Sequence, residues 1–238
     1  MGDYLISFDD TDNLETLGTG HVLARFLETL PFETGYITRH QLFVDERVPF
    51  TSHNSAMCAT VAGDIEAGDL AERAGRFLGQ EHAPGADPGL CVADMRIMAD
   101  VGLLLEWGRR AKTEVLAKTD AYDLARRCNV HLSEHGGDGQ GVVGALAAVG
   151  LRLSGDDGRV RGKVLVDAER MTVAELLART GFERVCAYGQ GVLANDCEIE
   201  LGGNEVKAVY QDFSSTVLAV PTGRGGWRLM GKQHLRQF

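Results

Sequence analysis

The sequence lacks the features that mark secreted, membrane-spanning and disulfide-bonded proteins. Its 238 residues include five cysteines, an odd number, and no two of them form a C-x-x-C pair. This pattern argues against a disulfide framework and against a zinc ribbon. The longest weakly polar run, Gly141 to Leu151, is too short to span a bilayer, and no signal peptide is predicted at the start. We therefore expect a soluble, cytoplasmic protein without a membrane partner.

Positive charge is also scarce. Lys and Arg number 24 against 34 Asp and Glu, so the net charge is −10 and a whole-molecule attraction to nucleic acid is excluded. From Val206 to the end, however, five cations accompany a single acid, Asp212. These cations are Lys207, Arg224, Arg228, Lys232 and Arg236. This stretch either faces RNA or a phosphate-bearing substrate, or it is an ordinary solvated surface.

Acidic residues are concentrated directly after the first apolar run. Tyr4 to Phe8 is predicted to be a buried strand, and Asp9-Asp10-Thr11-Asp12-Asn13 follows it. Three carboxylates within four residues repel one another unless a positive charge lies between them. Mg²⁺ usually takes one or two carboxylates together with substrate phosphates. We predict that Asp9, Asp10 and Asp12 hold a metal ion here; the alternative is an ordinary exposed turn.

Apolar periodicity predicts the order β-α-β-β-α-β at the start of an α+β chain. The predicted strands are Tyr4–Phe8, Tyr36–Val44, Ser55–Ala62 and Leu90–Ala93, and the helices are Val22–Leu30 and Leu70–Leu78. This order is the ferredoxin-like arrangement, an antiparallel sheet with both helices on one face. We predict a ferredoxin-like domain at 1–95, a helical connection at 96–130 and a second α+β domain at 131–238. The connection is interpreted as a solvated helix pair.

Turn signals organise the last part of the chain. Asp156-Asp157-Gly158 predicts a hairpin between Leu151–Ser154 and Val160–Leu165, and Gly202-Gly203-Asn204 predicts a second hairpin between the strands that flank it. Thr172 is predicted to cap a short helix that ends before Gly181.

A glycine-rich loop precedes the small apolar residues of a helix predicted for Val142–Val149. Backbone N–H groups of such a loop can bind an anion, and we predict a phosphate or substrate loop through Gly137, Gly139 and Gly141. Residues 139–144 also match the dinucleotide fingerprint G-x-G-x-x-G, although His and Glu residues precede them instead of a hydrophobic strand. A plain packing loop is the third interpretation.

Two of these stretches resemble motifs of the agmatidine synthetases (TiaS), which modify the wobble cytidine of an isoleucine tRNA. Phe8 to Asn13 resembles the family's I-D-D-T-D-S, and Gly137 to Gly150 resembles G-N-G-R-G-L-I-G-A-L-A-A-I-G. In that family an ATP-using kinase-like domain precedes a ferredoxin-like domain, and the acidic motif holds Mg²⁺ and ATP phosphates. The resemblance implies the same role for Asp9, Asp10 and Asp12.

The chain departs from the family in its next motifs. The family's G-M-C-T-T-Y-L-A corresponds loosely to Leu17–Ala24, where Thr19 is the only hydroxyl near the reactive threonine position. The family's K-T-R-G-N-x-A corresponds to Thr51–Ala56, which keeps Asn54 as a candidate cofactor-binding residue but lacks the Lys and Arg. No OB domain or zinc ribbon is found, so we expect a shortened relative with altered chemistry.

The function predicted from these features is ATP- and Mg²⁺-dependent activation of an acceptor, either RNA or a small metabolite, by phosphoryl or nucleotidyl transfer. Backbone N–H groups of Gly18, Thr19 and Gly20 would bind phosphate. Candidate catalytic groups are Asp10, Thr19, His21 and His53. A non-catalytic nucleotide- or metal-binding module and a metal-dependent phosphate-ester hydrolase are the alternatives. The chain could also form a homo-oligomer through exposed strand edges.

Overall fold

The computed structural model describes residues 3–48, 54–223 and 225–238. Internal contacts divide the chain into two compact units, Met1–Ser154 and Gly155–Phe238. The domain boundaries predicted after residues 95 and 130 both fall inside the first unit, because the helices between residues 101 and 154 pack with the sheet that precedes them.

The first unit contains six strands and five helices among its described residues. The strands are β1 (Tyr4–Asp9), β2 (Glu33–Thr34), β3 (Thr38–Gln41), β4 (Ser55–Ala62), β5 (Gly89–Asp94) and β6 (His131–Glu134). The helices are α1 (Thr19–Glu28), α2 (Ala67–Glu81), α3 (Val101–Arg110), α4 (Lys118–Cys128) and α5 (Gly141–Ser154). The strands pair antiparallel in the order β6-β5-β1-β4-β3, with β2 also on β4. The α+β class is confirmed, and the predicted order β-α-β-β-α-β is found with one additional short strand, β2, after α1.

The central strand β1 is buried along its whole length. Tyr4, Ile6 and Phe8 pack in the cluster that α1 and α2 cover. Leu5 and Ser7 point to the opposite face, where the Ser7 hydroxyl donates to a carbonyl of α5 at 2.5 Å. Because successive side chains of a strand alternate between faces, burial of both faces requires the uninterrupted apolar run seen in the sequence.

Helix α5 is built from small and aliphatic residues and is buried along almost its whole length. At Gly150 a Cβ atom would overlap the carbonyl oxygen of Leu104, so the absence of a side chain lets α5 approach α3 closely. The predicted solvated helix pair is therefore wrong, because α3 and α4 pack against α5. The predicted strand at Leu151–Ser154 is also wrong, because these residues form the last turn of α5.

The second unit contains one α-helix and ten strands among its described residues. The strands are β7 (Arg159–Val160), β8 (Val164–Leu165), β9 (Arg170–Thr172), β10 (Arg184–Ala187), β11 (Gly191–Val192), β12 (Glu198–Glu200), β13 (Glu205–Val206), β14 (Val209–Gln211), β15 (Ser214–Pro221) and β16 (Trp227–Leu229). Helix α6 spans Val173–Thr180, and a 3₁₀ turn spans His234–Gln237. In the part of the chain that the structure describes, no helix has the length and apolarity needed to cross a bilayer.

The strands of the second unit pair in the order β7-β14-β15-β16-β12-β9, with β10 parallel to β15. Thr172 and Glu175 form a capping box at the start of α6, and Gly181 ends it with a φ of 71°, as predicted. The hairpin predicted at Gly202–Asn204 is wrong. The strands on its two sides do not pair with each other, since β12 lies between β9 and β16 while β13 pairs with β8.

Candidate functional site

The acidic turn, Asp9–Asn13, connects the end of β1 to the segment before α1. Asp10 adopts a φ of 51°, in the left-handed region that few residues other than glycine enter. Asp12 accepts hydrogen bonds from the backbone N–H of Thr19 at 3.0 Å and from its hydroxyl at 2.8 Å. These bonds satisfy part of the first turn of α1 and fix the acidic turn against the helix.

Burial and neighbouring carboxylates both oppose ionisation of the acidic turn. Burial, reinforced by the charges of Asp10 and Asp12, raises the pKa of Asp9 well above its usual value. Burial, followed by the charges of Asp87, Asp12 and Asp138, raises the pKa of Asp10 to about 6. Both groups therefore resist ionisation within the protein alone, and a cation placed among them would favour their charged forms.

The glycine loop, Gly136–Gly141, lies beside the acidic turn within the first unit. A Cβ atom at Gly144 would overlap the Asp9 carboxylate, and one at Gly141 would overlap the backbone of Asp87 and Gly89. The absence of side chains at these positions lets the start of α5 lie directly against the end of β1. The acidic turn and the glycine loop are thus brought together inside one compact unit, whereas the predicted division at 1–95 and 131–238 assigns them to separate domains.

Several N–H groups of the glycine loop donate to protein acceptors. The Asp138 N–H donates to Asp87 Oδ1 at 2.7 Å, and the Gly141 N–H donates to the Asp87 carbonyl at 3.1 Å. The Gln140 N–H donates to Asp138 Oδ1 at 3.3 Å. These bonds support the packing interpretation of the loop. Ligand binding by Gly137, Gly139 and Gly141 stays a prediction.

The strand pairing around the glycine loop does not support a dinucleotide fold. A strand, β6, precedes the loop and a helix, α5, follows it. However, β6 lies at the edge of the sheet and pairs antiparallel with β5. The dinucleotide fingerprint requires a parallel βαβ unit, so its match at residues 139–144 is incidental.

The candidate catalytic residues near α1 differ in their burial and in their hydrogen bonds. Thr19 is buried, and its hydroxyl donates to Asp12 and accepts from the Thr11 N–H at 3.3 Å. His21 is half-buried in the first turn of α1, and its backbone N–H donates to the Gly18 carbonyl at 2.7 Å. Gly18 is the exposed N-cap of this helix, while Gly20 is buried inside it.

Asn54 and His53 are the candidates from the second family motif, Thr51–Ala56. Asn54 donates from its side-chain amide to the Phe43 carbonyl at 2.6 Å, and its own carbonyl accepts from the Leu42 N–H at 2.9 Å. These bonds tie two segments of the first unit together. His53 lies outside the described residues.

The donor set of the acidic turn matches what a magnesium ion needs beside a phosphate. Among the described residues, no three or more His, Cys, Asp or Glu side chains form a preformed metal site. The turn does supply carboxylate oxygens and the buried Thr11 hydroxyl, which has no hydrogen-bond partner among the described residues. Mg²⁺ accepts such a sparse oxygen set when phosphate and water complete its shell. The residues therefore fit Mg²⁺ bound together with a phosphate ligand.

Two aspartates beside the acidic turn were not predicted as site residues. Asp87 belongs to the Pro/Gly-rich turn before β5, and Asp138 belongs to the glycine loop; the charges of both act on Asp10. Asp138 stands inside the motif that resembles the TiaS family, so that motif could have indicated it. The sequence around Asp87 reads only as a turn.

Solved structures share the architecture of this chain. Apo TiaS, an agmatidine synthetase for an isoleucine tRNA, is 19% identical with a TM-score of 0.53 over 71% of this chain and 38% of its own. The complex of TiaS with that tRNA and ATP is 19% identical, with a TM-score of 0.53 over 74% of this chain and 43% of its own. A tRNA fluorescent labeling enzyme is 19% identical, with a TM-score of 0.54 over 72% of this chain and 42% of its own. The chain has a TiaS-like fold.

The extent of the TiaS likeness is limited in two respects. The chain spans about two fifths of the length of the three solved structures, from 38% to 43%. At 19% identity the likeness to TiaS establishes the fold. No protein-family model matches the chain, and no curated protein matches it.

Proposed function

We propose that the chain is an ATP- and Mg²⁺-dependent enzyme that activates an acceptor by phosphoryl or nucleotidyl transfer. The observation that carries this proposal is the acidic turn, where the buried Asp9 and the half-buried Asp10 both have raised pKa values. The turn is hydrogen-bonded to the start of α1, where the helix dipole favours a phosphate. The solved complex of TiaS with its tRNA and ATP, which has the same fold, supports the choice of nucleotide.

Each group of the site has a role in this proposal. Asp9 and Asp10 would hold Mg²⁺, which when bound neutralises the charge on phosphate oxygens. Asp12 keeps the start of α1 in place by accepting from the Thr19 N–H, and the N–H groups of Gly18 and Gly20 would bind the phosphate. The Thr19 hydroxyl donates to the Asp12 carboxylate at 2.8 Å, the geometry of a hydroxyl next to a group that can accept its proton.

RNA is the acceptor that the observations favour over a small metabolite. Two solved structures of this fold are a complex with an isoleucine tRNA and a tRNA labeling enzyme. In the second unit, burial and the charges of Lys232, Arg159 and Lys163 lower the pKa of Lys207, while the charge of Glu205 raises it. Glu205 pairs with Lys163 and Lys232, so four cations surround one acid and give this part of an acidic chain the local positive charge that RNA binding needs. Arg224 and the Arg236 side chain lie outside the described part of the chain.

The proposal is tested by calorimetric titration of ATP, with and without Mg²⁺, into the wild-type protein and the Asp10→Asn variant. We expect Mg²⁺-dependent binding that falls by about 100-fold in the variant, since a charged ligand group worth about 3 kcal/mol is lost. Asn tolerates the left-handed backbone of residue 10, so the turn keeps its shape.

Asp64→Asn is the control for this titration, because Asp64 is exposed and follows β4 at the opposite end of the sheet from Asp9. No binding by the wild-type protein contradicts the nucleotide assignment. Equal binding by the wild type and Asp10→Asn contradicts the assignment of the acidic turn.

A non-catalytic nucleotide-binding module is the second candidate. The Thr19 hydroxyl, which corresponds best to the family's reactive threonine, is only 4% exposed and makes two hydrogen bonds. A buried hydroxyl held in this way is typical of a structural residue. Incubation with ATP, Mg²⁺ and RNA separates the candidates, since ADP or AMP with modified RNA indicates the enzyme and unchanged ATP indicates the module.

A further inference from the structure

One residue outside the two sequence motifs contacts both of them. The Asp87 carboxylate accepts from the Asp138 N–H at 2.7 Å, and the Asp87 carbonyl accepts from the Gly141 N–H at 3.1 Å. On the other side, the backbone N–H of Asp87 lies near enough to the Asp10 carboxylate to lower the pKa of that group. Asp87 thus lies between the acidic turn and the glycine loop, and two hydrogen bonds hold it to the loop.

The rest of the turn around Asp87, residues 83–88, is held on the same two sides. The Ala83 N–H donates to the Thr11 carbonyl at 2.9 Å, and the Asn13 side-chain amide donates to the Pro84 carbonyl at 3.2 Å. On the other side, the His135 N–H donates to the Pro88 carbonyl at 2.9 Å. The turn therefore lies between the two motifs and is anchored to each.

The Asp87 carboxylate also explains the course of the glycine loop. A Cβ atom at Gly137 would overlap this carboxylate, and the φ of Gly137 is 54°. The loop can reach the carboxylate only because it has no side chain at this position. On its other side the loop is held by Lys118, whose ammonium donates to the Asp138 carbonyl at 2.6 Å and to Glu134 at 2.9 Å.

We infer that Asp87 is a positioning residue that fixes the glycine loop against the acidic turn. Of the groups that Asp87 contributes, the carboxylate is the one that a substitution at residue 87 removes, because its carbonyl and N–H belong to the backbone. The consequence for ligand binding rests on the proposed function: a loop released from Asp87 would no longer present a fixed wall to a nucleotide at the acidic turn. Asp87 itself need not touch the ligand.

The test compares Asp87→Ala, which removes the acceptor of the Asp138 N–H, with Asp87→Asn, which keeps an acceptor oxygen. Hydrogen exchange of the segment 137–144 reports on the loop without any ligand. We expect exchange to be about tenfold faster at the Asp138 amide in Asp87→Ala, as for loss of one hydrogen bond, and near wild-type in Asp87→Asn. Asp64→Ala is the matched control, since it removes an exposed carboxylate elsewhere in the first unit.

The second readout is the dissociation constant for ATP with Mg²⁺ on the same variants. We expect about tenfold weaker binding in Asp87→Ala and recovery in Asp87→Asn. Unchanged exchange in Asp87→Ala, or equal damage by both variants, overturns the inference, as does full ATP affinity in Asp87→Ala. If the wild-type protein binds no ATP, the proposed function fails, while the exchange rates still decide whether Asp87 positions the loop.

Discussion

The carboxylates at the two ends of the central sheet lie in opposite electrostatic environments. In the pairing of β1 with β5, Tyr4 lies opposite Asp94 at one end and Asp9 opposite Gly89 at the other. Asp94 accepts two hydrogen bonds from the Arg96 guanidinium, at 2.9 and 2.7 Å. These bonds lower the pKa of Asp94, and the guanidinium also lies over the Tyr4 ring. This end is neutralised by the protein itself.

At the other end, burial, followed by the charges of neighbouring acids, moves the pKa of Asp10 in the opposite direction. Folding a chain into this arrangement costs free energy that hydrophobic burial elsewhere must offset. A carboxylate that the protein partly buries and leaves uncompensated is typical of a ligand site, whereas one paired with an arginine is typical of structure. The comparison therefore supports placing the proposed site at the end of Asp9 and Asp10, and a structural role at the end of Asp94.

The largest effect is expected from filling the space beside Asp9. Gly144→Ala places a Cβ atom where the Asp9 carboxylate lies, and we expect a loss of about 1–3 kcal/mol in the free energy of unfolding. Gly79→Ala is the control, because Gly79 is also helical but has open space around it. That substitution should stabilise by up to about 1 kcal/mol. Urea unfolding of both variants measures the difference, and equal effects would show that the contact with Asp9 is not tight.

A smaller effect of opposite sign is expected for Asp10→Asn without ligand. The folded pKa of Asp10, about 6, exceeds the usual 3.8, so its ionisation destabilises the folded state as pH rises from about 4 to about 6. The neutral variant avoids this loss and should be more stable by about 1–2 kcal/mol at pH 7 and above, after allowance for partial solvent exposure.

Thermal unfolding at pH 4 and pH 8 tests this sign. The advantage of Asp10→Asn should be small at pH 4, fully present at pH 8, and reduced by Mg²⁺ with ATP. An advantage at pH 4 as large as at pH 8 would mean that charge repulsion is not its cause. Higher stability combined with lost binding is the result expected when a functional residue is removed.

The parts of the site that could be predicted from the sequence are those that local patterns specify. Tyr4–Phe8 is a continuous apolar run, which predicts a buried strand, and the residues that follow such a strand lie where it ends. The acidic turn and the glycine loop were recognisable because each is contiguous in sequence. The ferredoxin-like order of elements followed from periodicity for the same reason.

The parts that could not be predicted depend on contacts between distant residues. Asp87 and Asp138 are 51 positions apart, and nothing in the turn around Asp87 shows that its carboxylate meets a loop N–H. The turn signal after Leu151–Ser154 predicts a strand there, yet tertiary packing continues α5 through these residues. The pattern of α3 does not indicate its burial, because the helix that covers it, α5, lies far along the chain.

The smallest effect is expected at the paired end of the sheet. Asp94→Asn removes a charge that Arg96 compensates, so here the neutral variant should be less stable, by about 0.5 kcal/mol because the arginine is half-exposed. The folded pKa of Asp94 is lowered, so its contribution is present above about pH 4 and is lost as pH falls. The same Asp-to-Asn change thus has opposite signs at the two ends, measured by urea unfolding at pH 7. If both variants gained stability, the ion pair with Arg96 would not distinguish the two ends. The uncompensated charge of Asp10 would then no longer support a ligand site at the acidic turn.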